Sequence, residues 1–116
     1  MFTVFGYLTR KDGLGRQAFI DYYENHHVPL ILNLAPTPSV YKRHYLSRND
    51  VCDIHEDALD FDVVTELGFP DRAAFLAWSA AVGTGPGGDQ VAADEANFLD
   101  RSRTKSCVID DRVTAS

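Results

Sequence analysis

Apolar positions along the chain change period several times, and the changes mark its elements. Phe2, Val4, Phe5, Tyr7 and Leu8 crowd the start with β-branched and aromatic side chains. They predict a strand over Phe2–Thr9, ended by the turn Arg10-Lys11-Asp12-Gly13. From Gly15 to about Leu32 the spacing becomes helical, with Phe19, Tyr23, His27 and Ile31 at i, i+4, i+8 and i+12 and Tyr22, His26 and Leu30 beside them. That is an apolar stripe about four turns long. Pro29 sits in its tail, so regular helix is expected to end or kink near Val28, and Pro36 and Pro38 predict an extended linker. Two strands follow, Val40–Ser47 (VYKRHYLS) and Phe61–Phe69 (FDVVTELGF), with the polar stretch Arg48–Asp60 between them as a long exposed loop. Asp71–Ala81 reads as a helix with Asp71 at the N-cap and Phe75 and Trp78 on its inner face. Gly83–Gly88 (GTGPGG) is expected to be a flexible break, Asp89–Leu99 a second helix and Ser102–Ile109 the last strand. Residues 1–110 thus form one domain and 111–116 a loose C-terminal tail.

The order β–α–β–β–α–(α)–β with four strands is that of a ferredoxin-like βαββαβ plait, an α+β fold with a four-stranded antiparallel sheet. Helices cover one face of such a sheet. Strand 1 nevertheless carries apolar bulk on both sides: Phe2, Val4 and Leu8 on one, Phe5 and Tyr7 on the other. The third strand has Phe61, Val63, Leu67 and Phe69 opposite Val64 and Glu66. A sheet apolar on both faces must cover both, so a second copy of the chain is expected on the open face as a C2 homodimer.

Composition narrows the function classes. The chain has 116 residues, enough for one domain with a core that needs no disulfide or metal. Apolar residues make up 45 % and aromatics 11 %, which excludes a disordered chain. Asp and Glu number 17 against 11 Lys and Arg, a net charge of −6 that argues against nucleic-acid binding. No apolar run reaches membrane-spanning length and the N-terminus does not read as a secretory signal, so neither a membrane nor export is expected. Cys52 and Cys107 make no disulfide framework and read as reduced thiols in the cytoplasm.

Four stretches together resemble the EthD-like family of dimeric α+β-barrel proteins, which includes small polyketide cyclases, dehydratases and muconolactone-type isomerases. The first is Arg10-Lys11-Asp12-Gly13-Leu14 with Phe19 and Tyr22-Tyr23-Glu24-Asn25-His26-His27-Val28-Pro29-Leu30. It carries an aromatic pair, three variable residues, a His, one residue and Pro-Leu, with His27 at the family's His position. The others are Tyr41-Lys42-Arg43-His44-Tyr45, Phe61 to Phe69, and Asp94-Glu95-Ala96-Asn97-Phe98-Leu99-Asp100. The resemblance implies the plait, the dimer and a cavity between sheet and helix. It does not imply a single reaction.

His27 is the leading candidate for chemistry, because an imidazole on the apolar stripe is suited to proton transfer near neutral pH. Its bland alternative is a core histidine that only bonds across to another element. On the second strand, Tyr41, Arg43 and Tyr45 share one face and Lys42, His44 and Leu46 the other. Tyr41 is a possible proton donor to a substrate oxygen, His44 a possible second imidazole, and only one of the two faces the cavity. Glu66, mid-strand among apolar neighbours, is a candidate second acid/base or a structural partner of Arg43. Asp94 and Glu95 are expected to order a helix end or to pair with Arg101 or Arg103. Phe5, Tyr7, Phe19, Tyr23, Arg43, Leu67 and Phe75 are expected to bind a small hydrophobic, ring-shaped substrate. Cys52-Asp53-Ile54-His55-Glu56 lacks the second ligand cluster of a zinc site, and the Gly83–Gly88 stretch lacks the residues of a phosphate or dinucleotide loop, so no metal and no cofactor are expected. Three readings follow: a cofactor-free acid/base enzyme for cyclisation, dehydration or isomerisation; a cofactor-independent or haem-assisted monooxygenase; or a non-catalytic binder of a hydrophobic metabolite.

Overall fold

The computed structural model describes residues 1–48, 50–52 and 59–115. The strands are β1 (Phe2–Leu8), β2 (Val40–Tyr45), β3 (Val63–Phe69) and β4 (Lys105–Ile109). A long helical segment after β1 consists of α1 (Arg16–Tyr22), one π turn (Tyr23–His27) and α2 (Val28–Leu34); α3 (Arg72–Gly83) and α4 (Gly85–Glu95) follow β3. The sheet order is β2-β3-β1-β4 and every pairing is antiparallel, which is the ferredoxin-like plait. Among the described residues, no helix is long and apolar enough to cross a membrane.

Register decides what faces the helices. Across β1 and β3, Phe2 opposes Phe69, Val4 opposes Leu67, Gly6 opposes Thr65 and Leu8 opposes Val63. Directly opposed residues point to the same face. These side chains turn to the helices and form two clusters. Leu8 and Val63 pack with Phe19, Tyr23, Phe98 and Leu99. Val4, Leu67 and Phe69 pack with Phe2, Phe75 and Trp78. Gly6 and Thr65 lie between them, so the sheet floor is low where the clusters part.

Pro29 does not end the helix. It has no N–H to donate, and the chain accommodates it by inserting the π turn ahead of it: the N–H of Val28 donates five residues back to the Tyr23 carbonyl. Pro29 then falls in the first turn of α2, where the widened turn ahead of it accommodates both the ring and the missing donor. Helix continues to Leu34 and stops at extended Ala35. α3 starts as its sequence predicts, with the Asp71 carboxylate accepting from the Ala74 N–H at 2.8 Å.

The Gly83–Gly88 stretch is not a flexible break. The interruption is confined to Thr84, and Gly85 (φ 62°), Pro86, Gly87 and Gly88 already belong to α4. The reason is close approach. A Cβ on Gly88 would sit 2.6 Å from the Gly83 carbonyl carbon, and one on Gly87 would collide with the Ala81 carbonyl oxygen. Glycine here lets the start of α4 fold back on the end of α3. β4 starts at Lys105 and not at Ser102, because Asp100 caps a single 3₁₀ turn, Arg101–Arg103. α4 likewise stops at Glu95, ahead of Leu99, and the chain then buries Phe98 and Leu99 from a turn.

Gly87→Ala is expected to lower unfolding stability by roughly 1–3 kcal/mol through overpacking. Gly83→Ala, where a Cβ meets nothing within 4 Å, is expected to raise it by up to about 1 kcal/mol. Urea denaturation of the two variants checks the contrast, and equal effects would remove the close-approach argument.

Candidate functional site

Phe19, Tyr23, His27 and Ile31 are all buried, and His27, the last residue of the π turn, is only 5 % exposed. His26, one step round the helix, is exposed and packs against the Tyr22 ring in a tilted pair at 4.7 Å. The His27 ring packs between Tyr23 and Phe98, at 5.3 and 5.0 Å. Its Nδ1 lies 2.9 Å from Oδ2 of Asp94 on α4. The other Asp94 oxygen accepts from the Tyr22 hydroxyl at 2.7 Å, and Asn97 donates to that hydroxyl at 2.9 Å. A carboxylate on Nδ1 holds the proton there, so the neutral ring keeps its lone pair on Nε2. Among the described residues Nε2 has no hydrogen-bond partner, and it is not among the polar atoms sealed from solvent.

Beside His27 lies a cavity of about 290 Å³ over the low part of the sheet. Leu8, Tyr23, Ile31, Leu67, Trp78 and Val91 supply its apolar wall, Gly6 and Thr65 its floor, and Tyr41 of β2 one side. Burial pushes the Tyr41 phenol up to about 12, against the pull of the Tyr23 hydroxyl and the Arg43 charge. It is therefore a neutral O–H donor across the physiological range. Arg43 stands behind it, with its guanidinium carbon 4.8 Å from the Tyr41 ring centre. Arg43 donates to both oxygens of Glu24 at 2.9 and 2.7 Å, and the Tyr45 hydroxyl donates to Glu24 at 2.5 Å. The Arg43 bonds hold the Glu24 carboxyl below its ordinary range. Burial and the nearby Glu24 charge push the Tyr45 phenol up. Tyr23 is raised well above its usual value by burial, and its hydroxyl bonds Thr65 at 2.6 Å.

Of the residues singled out in the sequence, the fold brings His27, Tyr41, Tyr23 and Leu67 around this cavity. The remaining seven stand elsewhere. Phe19 seals the core beneath it. Arg43 lies behind Tyr41, and Phe75 packs among Phe2, Phe69 and Trp78. Phe5 and Tyr7 are on the opposite face of the sheet, fixed there by β1 alternation. His44 and Glu66 share that far face and bond each other at 3.0 Å, so Glu66 pairs with His44 and Arg43 with Glu24. Phe61 precedes β3 and packs edge-on against Tyr7, away from the helices. Glu95 pairs with Arg101 as expected, whereas Asp94 binds His27 and Tyr22 instead, and Trp78 lines the cavity; neither Asp94 nor Trp78 is read from the sequence as a site residue. Asp94 had a signal: with Val91 and Phe98 it stands at i, i+3 and i+7, an acid on the buried stripe of its helix. A larger, shallower cleft of about 620 Å³ around Arg10, Arg48, Asp60 and Asp62 contains none of the expected site residues. Among the described residues, no three His, Cys, Asp or Glu side chains gather to hold a metal. Asp53, Ile54, His55 and Glu56 of the Cys52–Glu56 segment lie outside the described residues.

The EthD domain model matches residues 11–102. The chain belongs to the EthD family. Among curated proteins, none matches it. Similar solved structures include protein At3g17210 from Arabidopsis thaliana, at 12 % identity, TM-score 0.66 and full coverage of both chains. An ethyl tert-butyl ether D (EthD) family protein from Bacillus halodurans C-125 has 18 % identity and TM-score 0.62, covering 97 % of this chain and 100 % of its own. HapK from Hahella chejuensis has 17 % identity and TM-score 0.59, covering 100 % of this chain and 99 % of its own. At these identities the likeness is one of fold. It extends over the whole EthD plait, including the helices that carry His27 and Asp94.

Because Glu24 titrates lower in the folded chain than its ordinary 4.5, its pairing stabilises the fold fully above that value. That stability is lost as pH falls through the folded value. Glu24→Gln is therefore expected to be less stable than the parent at pH 7, with the gap closing on acidification below about pH 4.5. Urea midpoints at both pH values measure this, and a gap independent of pH would contradict the assignment.

Proposed function

We propose that this EthD protein is a cofactor-free acid/base enzyme acting on a small, ring-shaped hydrophobic substrate of polyketide or aromatic type. His27, held by Asp94 at the wall of the cavity, is the observation that carries the reading. Nε2 takes a proton from carbon beside a substrate carbonyl, and the electron pair moves onto that oxygen as an enolate. The neutral Tyr41 phenol hydrogen-bonds the oxygen, and Asp94 stabilises the imidazolium. Returning the proton to another carbon gives isomerisation. Delivering it to a departing hydroxyl gives water and a new double bond, and attack of the enolate carbon on a second carbonyl closes a ring, the alkoxide so formed taking the proton back from His27. None of these steps needs a redox partner. The volume of about 290 Å³ supports a one- or two-ring substrate. The two exposed free thiols, Cys52 and Cys107, are consistent with the cytoplasmic location that belongs to this reading.

The test uses a generic carbon acid. Wild-type protein is expected to speed deuterium exchange at the acidic methylene of 2-tetralone, followed by proton NMR. His27→Gln is expected to reduce the enzymatic rate by about 10²–10⁴-fold, and Asp94→Asn by about 10²-fold or more through loss of the tautomer. A wild-type rate equal to buffer, or exchange indifferent to His27, would overturn the proposal. Binding of the ketone without exchange would leave a carrier of hydrophobic metabolites.

The far face of the sheet supports a homodimer as part of the same proposal. Phe5, Tyr7 and Val64 lie there between the His44–Glu66 pair and Cys107, an apolar strip that no helix among the described residues covers. Sedimentation equilibrium is expected to give twice the 12.9 kDa chain mass, and Phe5→Glu the single mass. A monomeric wild type would refute the dimer while leaving the acid/base reading intact.

A further inference from the structure

Polarity around the His27 cavity is segregated. Apart from His27, Tyr41 and Thr65 the inner wall is apolar, whereas the mouth, between the last turn of α4 and the start of β4, carries Glu95, Arg101, Thr104 and Ser106. Lys105 also borders the mouth, but it opposes Tyr7 in the sheet register, which sends its side chain to the far face. Arg101 is therefore the cation of the mouth. Its backbone is pinned by the 3₁₀ turn: the Asp100 carboxylate accepts from the Ser102 N–H and hydroxyl at 3.2 and 2.6 Å, and Thr104 donates to the Arg101 carbonyl at 3.3 Å.

The guanidinium is only partly used. Its Nε lies 3.2 Å from Oε1 of Glu95, and neither terminal nitrogen has a partner among the described residues. A guanidinium carries five donors in a planar fork, and the unused pair matches the two oxygens of a carboxylate. Glu95 and a chain charge of −6 oppose a dianion such as a phosphate more strongly than a monoanion.

We infer that the ligand of this cavity is a carboxylic acid, with its ring among Leu67, Trp78 and Val91 and its carboxylate held at the mouth by Arg101. The inference rests on the reading of the His27 cavity as a ligand site and adds the ligand's charge and orientation. Anchoring the acid at the mouth would present the body of the ring, with its carbonyl, toward His27 and Tyr41. The acid group itself takes no part in the proton transfer, and Arg101 is a specificity-determining residue.

The probes are 2-naphthoate and 2-naphthamide, which have nearly the same shape and differ in charge. Calorimetric titration of the wild-type chain is expected to show 2-naphthoate binding about three- to tenfold more tightly, the range for one charge-assisted contact discounted for exposure. Arg101→Gln is expected to abolish the difference by weakening naphthoate alone. Glu95→Gln, which removes the competing carboxylate, is expected to tighten naphthoate severalfold. Amide NMR shifts are expected at Ala92 and Ser106 and not at Phe5 on the far face. Equal affinities in the wild type, a preference that survives Arg101→Gln, shifts centred on the far face, or no naphthoate binding would each overturn the inference. If 2-tetralone exchange persists in those cases, only the carboxylate assignment falls. If exchange is also absent, the acid/base reading falls with it.

Discussion

The hydrogen bond between His27 and Asp94 joins two helices that approach the sheet from opposite ends of the chain. A carboxylate and an imidazole at 2.9 Å in surroundings this apolar hold each other strongly, because neither has much water to fall back on. The bond fixes the tautomer, the ring orientation and the position of α4 above the π turn. Tyr22 and Asn97 extend it to the surface, satisfying the second carboxylate oxygen. Without this bond the cavity would lose the directed lone pair that gives it chemical meaning.

The hollow itself follows from small residues and one irregular turn. Gly6 and Thr65 oppose each other in the sheet centre, so no large side chain fills the space between the two aromatic clusters. The π turn accommodates Pro29 while keeping Tyr23, His27 and Ile31 on the buried side. Glu24 in the same turn grips Arg43 on β2, and Arg43 lies over the Tyr41 ring. The two ends of the turn are thus tied to α4 and to the edge strand, which places His27 and Tyr41 on walls of one space.

Several features were legible in the chain because they depend on neighbours close in sequence. Alternation in Phe2–Leu8 and Val63–Phe69, the four-residue stripe from Phe19 to Ile31 and the Asp71 cap all carry local signals. The glycine-rich stretch is ambiguous in sequence because glycine is equally at home in a loose loop and in a tight helix crossing. Phe5 and Tyr7 read as cavity residues by their hydrophobicity, although their own parity sets them opposite Val4 and Leu8. An apolar side chain reads the same whether it faces a helix or the uncovered side of the sheet.

By itself the sequence determined the order and kind of the elements, the inward turn of His27 and the two-sided apolar character of the sheet. Each of these is encoded by period and by residue type. Tertiary structure alone decided that Tyr41 and not His44 faces the hollow, that Glu66 answers His44 while Arg43 answers Glu24, and that Asp94 stands behind His27. Those partnerships join residues up to 67 positions apart, and they depend on strand register and helix crossing, which no local pattern of side chains specifies.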